Sequence, residues 1–174
     1  MKKTINLQDP SFIQSINIAN KWCKEWEEGL LSDEVLADRI AELIKSKNGL
    51  RGFFAYALSD IHCTLLDKLP CPLLFKLREQ GDYIVEITVK NLIMSSAQIL
   101  NHKKNKNAEY ESKSQNISNR CINLLKELDS KLVTKNINKI INNLDEMGNS
   151  FDKSIKYDDE QRNFILEKIH EISY

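Results

Sequence analysis

Apolar residues recur at steps of three and four along nearly the whole chain, the spacing that lines one face of a helix. Phe12, Ile13, Ile16, Ala19, Trp22, Cys23 and Trp26 form the first such stripe. Asp9 is its expected N-cap and Pro10 its first helical residue, where a missing N–H costs nothing. Gly29 is placed for a left-handed stop. Ser32 caps a second helix, with Asp33 and Glu34 in its first turn and Leu36, Ile40, Leu43 and Ile44 as its inner face. Asn48-Gly49 is expected to end that helix. Gly52 marks either a turn or the close approach of another backbone.

The apolar run Phe53–Leu58 is short, and periodicity alone does not separate helix from strand there. A lone strand would leave its backbone groups unpaired, so helix is the expectation. Ile61–Leu69 reads as a further helical turn or two, ended by Pro70. Pro72 suits the first turn of a helix over Leu73–Gln80, closed by Gly81. Asp82 is then the expected cap of the most apolar helix, about residues 83–103. Its stripe (Val85, Val89, Leu92, Ile93, Ser96, Ile99, Leu100) is widened by Ile84, Ile87, Met94 and Ala97. A helix apolar on most sides is surrounded by others.

The polar stretch HKKNKNAEYESKSQN predicts a surface loop over 102–112, with a helix starting inside it. Ile117, Cys121, Leu124, Leu125 and Leu128 make the next amphipathic helix. Leu132, Val133, Ile137, Ile140, Ile141 and Leu144 make another, ended by Gly148. Asp158 opens the last, with Gln161 three residues on as in a capping box and Tyr157 as a staple. The pattern predicts an all-α, single-domain bundle of about seven to nine helices spanning 1–174 around the 83–103 helix. Residues 1–9 are expected to form a flexible N-terminus.

Composition agrees with that architecture. The chain has 174 residues, 41% hydrophobic and 29% charged, with only five glycines and three prolines, too few turn formers for an all-β protein. Lys+Arg and Asp+Glu are 25 each, so no overall charge points to nucleic acid or membrane. The balance is uneven along the chain. Residues 101–140 hold nine basic against four acidic side chains, and residues 141–174 hold four against eight. Attraction between neighbouring helices accounts for such a split. MKKTINLQDP carries no apolar export segment and no apolar run is long enough to span a membrane, so a soluble, cytoplasmic protein is expected. The four cysteines (Cys23, Cys63, Cys71, Cys121) are then reduced thiols filling the core.

Candidate chemistry is sparse, and no catalytic residues are assigned. His62-Cys63 suggests a Cys–His pair, but neighbours on a helix point about 100° apart. His62, Cys63 and Cys71 lack zinc-site spacing, so no metal ligands are assigned. GLRG lacks the length and the Lys-Ser/Thr of a phosphate loop. The central helix supplies the better candidate: Thr88, Asn91, Ser95, Gln98 and His102 form a polar line along an apolar rod. Buried polar groups need hydrogen bonds, from backbone, neighbours or a ligand. Asn91, Ser95, Gln98 and His102, with Arg51, are therefore the candidate ligand-binding residues. The cofactor, if any, has no signature. His102, Lys103, Lys104 and Lys106 would at most give weak, salt-sensitive nucleic-acid binding. Arg51, held between two glycines, suits a salt bridge, a carbonyl cap or an anion or carboxylate clamp.

Three segments, LADRIAELIKSKNGLRGFFAYAL, EITVKNLIMSSAQIL and NRCINLLKEL, together resemble a family of small uncharacterised cyanobacterial proteins. The resemblance covers most of the chain after Trp22. It implies a cyanobacterial, intracellular source and carries no established activity, so it transfers no functional residues. The expected function is a non-enzymatic protein-interaction or regulatory protein, binding another protein or itself. The alternative is a small-molecule or cofactor binder, or an enzyme of unfamiliar type, using the polar line.

Overall fold

The computed structural model describes residues 10–147 and 157–172, and of residues 143–147 only the backbone. Every regular element among them is an α-helix: α1 Phe12–Glu27, α2 Asp33–Leu43, α3 Lys47–Ser59, α4 Cys71–Glu79, α5 Asp82–Lys104, α6 Ala108–Glu127, α7 Ser130–Met147 and α8 Asp159–His170. The all-α bundle expected from the apolar spacing is thus what forms. The chain divides into two compact units, one reaching to Glu79 and the other beginning at Gln80.

In the first unit α1 pairs with α3 and α2 with α4. Asp9 lies outside the described residues, and the cap of α1 is Ser11 rather than Asp9. The Ser11 hydroxyl accepts from the Gln14 N–H at 3.3 Å, while the Gln14 side chain accepts from the Ser11 N–H at 2.8 Å. This reciprocal pair satisfies two N-terminal donors at once and leaves Pro10 just ahead of the helix. Gly29 does take a left-handed φ, 74°, at the end of α1.

KNGLRGFFAYALS departs furthest from expectation. Asn48-Gly49 does not end α2, which closes at Leu43 with Ile44 as its C-cap. Instead Ser46 caps a new helix through its hydroxyl, which accepts the Gly49 N–H at 2.9 Å. Both glycines are therefore helical, and both are held by crowding. A Cβ on Gly49 would lie 1.8 Å from the Leu43 carbonyl oxygen. One on Gly52 would lie 2.4 Å from Ser15 Cβ and 3.0 Å from the Phe12 oxygen, so of its two readings the close approach is the correct one. Phe53 and Phe54, both buried, meet edge to face at 5.4 Å between ring centres.

Ile61–Leu69 is not helical. Asp60 turns to extended backbone at the end of α3, and its carboxylate accepts the His62 N–H at 2.7 Å. Thr64 then anchors the segment to α1: its N–H and its hydroxyl both donate to Glu27 Oε1, each at 3.0 Å. Side-chain bonds of this kind compete directly with helix continuation.

In the second unit α5 packs against α6, α7 and α8. Its buried residues (Ile84, Val85, Val89, Leu92, Ile93, Ala97, Ile99 and Leu100 among them) span well over half of its circumference. Gly81, at φ 54°, takes the N-cap position, and Asp82 is the first helical residue instead of the cap. The Asp82 carboxylate is spent on α7, accepting from Lys135 at 3.0 Å and Asn136 at 3.1 Å.

The loop expected over 102–112 shrinks to Asn105–Asn107. Helix α5 continues through Lys104, Lys106 takes a left-handed φ of 54°, and the Asn107 side chain caps α6 by accepting the Tyr110 N–H. Helix α6 carries an unexpected buried polar set, Ser114, Ser118 and Arg120. Helix α8 has the capping box read from Asp158 and Gln161, and Tyr157 is buried. Leu144, as a side chain, and Gly148 lie outside the described residues.

Two outcomes are expected. Gly52→Ala should lower stability by about 1–3 kcal/mol in urea denaturation, despite the better helix former, because Ser15 and the α1 backbone block the new methyl group. The second concerns acid. The hydrogen bond from Lys135, then that from Asn136, holds Asp82 below its ordinary 3.8. A carboxylate lowered on folding stabilises above its unfolded value, and that contribution disappears as pH falls through the folded one. Asp82→Asn should therefore flatten the loss of stability between about pH 5 and pH 2, followed by circular dichroism.

Candidate functional site

The polar line of α5 lies along the margin between its buried and exposed sides. Thr88 and Ser95 are buried, Asn91 and His102 are half-buried, and Gln98 is exposed. Three of these side chains turn back onto their own helix. Thr88 Oγ1 donates to the Ile84 carbonyl at 2.6 Å, Asn91 Nδ2 to Ile87 at 2.8 Å and Ser95 Oγ to Leu92 at 3.1 Å. Ser96 donates to the same Leu92 oxygen at 2.7 Å. Hydroxyls and amides bonded in this way meet the need of buried polar groups without a ligand.

His102 lies against the Tyr110 ring, 5.5 Å between centres, and Lys113 Nζ stands 4.8 Å from that ring. Of the basic cluster, Lys104 is engaged by α8, at 2.7 Å from Glu160 and 3.4 Å from Asp158. The Glu160 hydrogen bond is the main reason its ammonium is held above the ordinary range. Here the basic and acidic sections of the chain do attract one another, and a phosphate would have to displace two carboxylates.

Arg51 belongs to α3 in the first unit and is exposed. Its guanidinium lies over the Phe12 ring at 5.3 Å, a cation–π contact between α3 and α1. Arg51 thus covers the helix crossing that Gly52 permits.

The histidine–cysteine pair separates in a non-helical turn rather than on a helix: His62 is exposed and Cys63 fully buried. Cys71 departs from the expectation of a core thiol, since the first turn of α4 exposes it. Among the described residues no group of three or more His, Cys, Asp or Glu side chains is arranged to hold a metal ion.

The structure assembles one cluster that spacing did not reveal. Cys23 on α1, Tyr56 on α3 and Cys63 just beyond α3 are all buried in the first unit. The influence of Cys63, followed by burial, pushes the Cys23 thiol far up, and burial is the main cause of a rise for Tyr56. Forty residues separate the two cysteines, and no sequence spacing announces such a pair. The Glu27–Thr64 bonds close the cluster, because Glu27 stands one turn beyond Cys23 on α1.

The fold and these side chains define an all-helical protein with a buried thiol–phenol cluster in one unit and a polar-edged central helix in the other. No helix among the described residues is long and apolar enough to cross a membrane. Residues 11–172 match the profile of a conserved family described as Uncharacterised conserved protein UCP020893, and the chain belongs to that family. This agrees with the resemblance to an uncharacterised family seen in its sequence. No curated protein and no solved structure matches the chain.

Thiol accessibility gives a direct check. Under native conditions a maleimide should label Cys71 alone, and Cys23, Cys63 and Cys121 only after unfolding, as counted by intact-mass spectrometry.

Proposed function

We propose that the chain is a protein-interaction or regulatory protein that works by binding rather than by catalysis, presenting the outer arc of α5 to another protein or to a second copy of itself. The carrying observation is the exposure of large apolar side chains on that arc: Tyr83 is 71% and Met94 52% exposed. Eleven residues apart, they fall within about 20° of each other around the helix, with half-buried Ile87 beside them. Glu86 and Lys90, paired on the same side, give the arc a charged edge. Aromatic and methionine side chains with a polar margin are the composition of protein contact surfaces.

The small-molecule or cofactor reading through Arg51, Asn91, Ser95, Gln98 and His102 has less support. Thr88, Asn91 and Ser95 donate within their own helix, so a ligand would have to compete for those groups. Weak nucleic-acid binding through 102–106 is disfavoured by the Lys104 ion pairs. The single-domain reading of 1–174, a cytoplasmic location and a cyanobacterial source belong to the same proposal.

The test compares the protein with its Tyr83→Glu/Met94→Glu variant, by light scattering over a concentration series and by pull-down from native lysate. Both positions are exposed, so the fold should be kept, while any complex formed through the arc should weaken about tenfold or more. Complexes that persist unchanged, or a monomer retaining nothing, would refute the reading.

A further inference from the structure

We propose that Cys23 and Cys63 are an oxidisable dithiol, closing to a reversible disulfide that staples α1 to the segment following α3. Three structural facts bring the segments that carry the two cysteines together. Both cysteines are fully buried in the same unit. The 60–64 turn is anchored on α1 by two bonds from Thr64 to Glu27, one helical turn beyond Cys23. The Gly52–Ser15 approach fixes α3, which carries Tyr56, tightly against the same helix.

The roles within the pair differ. Cys23 sits inside a regular helix, whereas Cys63 lies in the non-helical segment that follows α3. Local opening of a non-helical segment exposes its side chains before those of a packed helix, so Cys63 is assigned as the attacking thiol and Cys23 as the resolving one. With a hydroperoxide as oxidant, the Cys63 thiolate attacks one peroxide oxygen, the O–O bond breaks, and Cys63 becomes a sulfenic acid as the first water leaves. The Cys23 sulfur then attacks the Cys63 sulfur, forming the S–S bond, and hydroxide leaves with the Cys23 proton as the second water. Two thiols and one hydrogen peroxide give one disulfide and two waters. A low-molecular-weight thiol restores the pair by exchange.

Burial sets the rate. Neither thiol meets solvent while the non-helical 61–69 segment is closed, so reaction follows local opening of that segment. The Glu27–Thr64 bonds are the latch. Cys121 is an internal control: it is buried in the other unit, with its thiol pushed up by burial alone.

The experiment uses the full chain carrying Cys71→Ser, which removes the exposed thiol. The protein is treated with hydrogen peroxide, quenched, unfolded in alkylating agent and peptide-mapped without reductant. The expected result is one cross-linked species joining the Cys23 and Cys63 peptides, dispersed by dithiothreitol, with Cys121 alkylated. Adding Glu27→Ala should speed cross-linking severalfold by loosening the latch, which keeps the test decisive if the closed segment reacts slowly. Separate alkylation of both cysteines in both proteins, or linkage of either one to Cys121, would overturn the proposal.

Discussion

The first unit depends on the absence of a side chain at Gly52. With no Cβ there, α3 comes close enough to α1 for the Phe12 carbonyl and Ser15 to occupy the space a methyl group would need. That distance allows Arg51 to lie over Phe12, and Tyr56, one turn further along α3, is buried in the same unit as Cys23. It also shortens the path by which the chain after α3 returns to Glu27. Crowding of this kind is stiff: interiors pack at crystal-like density, and a displaced helix moves everything it carries.

Backbone satisfaction plays the corresponding part in the second unit. A long, mostly buried helix tolerates Thr88, Asn91, Ser95 and Ser96 because each returns its donor to a carbonyl of the preceding turn. The polar line thus resolves into helix-internal bonding at its buried end and exposure at Gln98. Charge then orders the periphery, where Lys135 and Asn136 hold Asp82 to α7 and Lys104 holds the start of α8.

Much of the helical inventory was legible in the residues. Ser32, Gly29 and the Asp158–Gln161 box act locally, within a few residues, so their effect can be read without knowing the fold. Errors fell where two local signals competed. Asp9-Pro10 and Ser11 both resemble helix starts, and the reciprocal Gln14 bond decides for Ser11. Asn48-Gly49 resembles a stop, yet Ser46 three residues earlier makes the same glycine a first-turn donor. Ile61–Leu69 carries helical spacing, but Asp60 and Thr64 divert its backbone, one to a turn and the other to α1.

The sequence by itself determined the all-helical class, the apolar faces and most of the caps, because 3.6-residue periodicity and capping chemistry are properties of short segments. The tertiary structure alone decided which thiols are buried in the same unit, which glycine serves as a contact and which polar groups on α5 are already satisfied. Those outcomes arise between residues far apart in the chain, such as Cys23 with Cys63 and Ser15 with Gly52. No periodicity records such a distance; only the packing of one helix on another sets it.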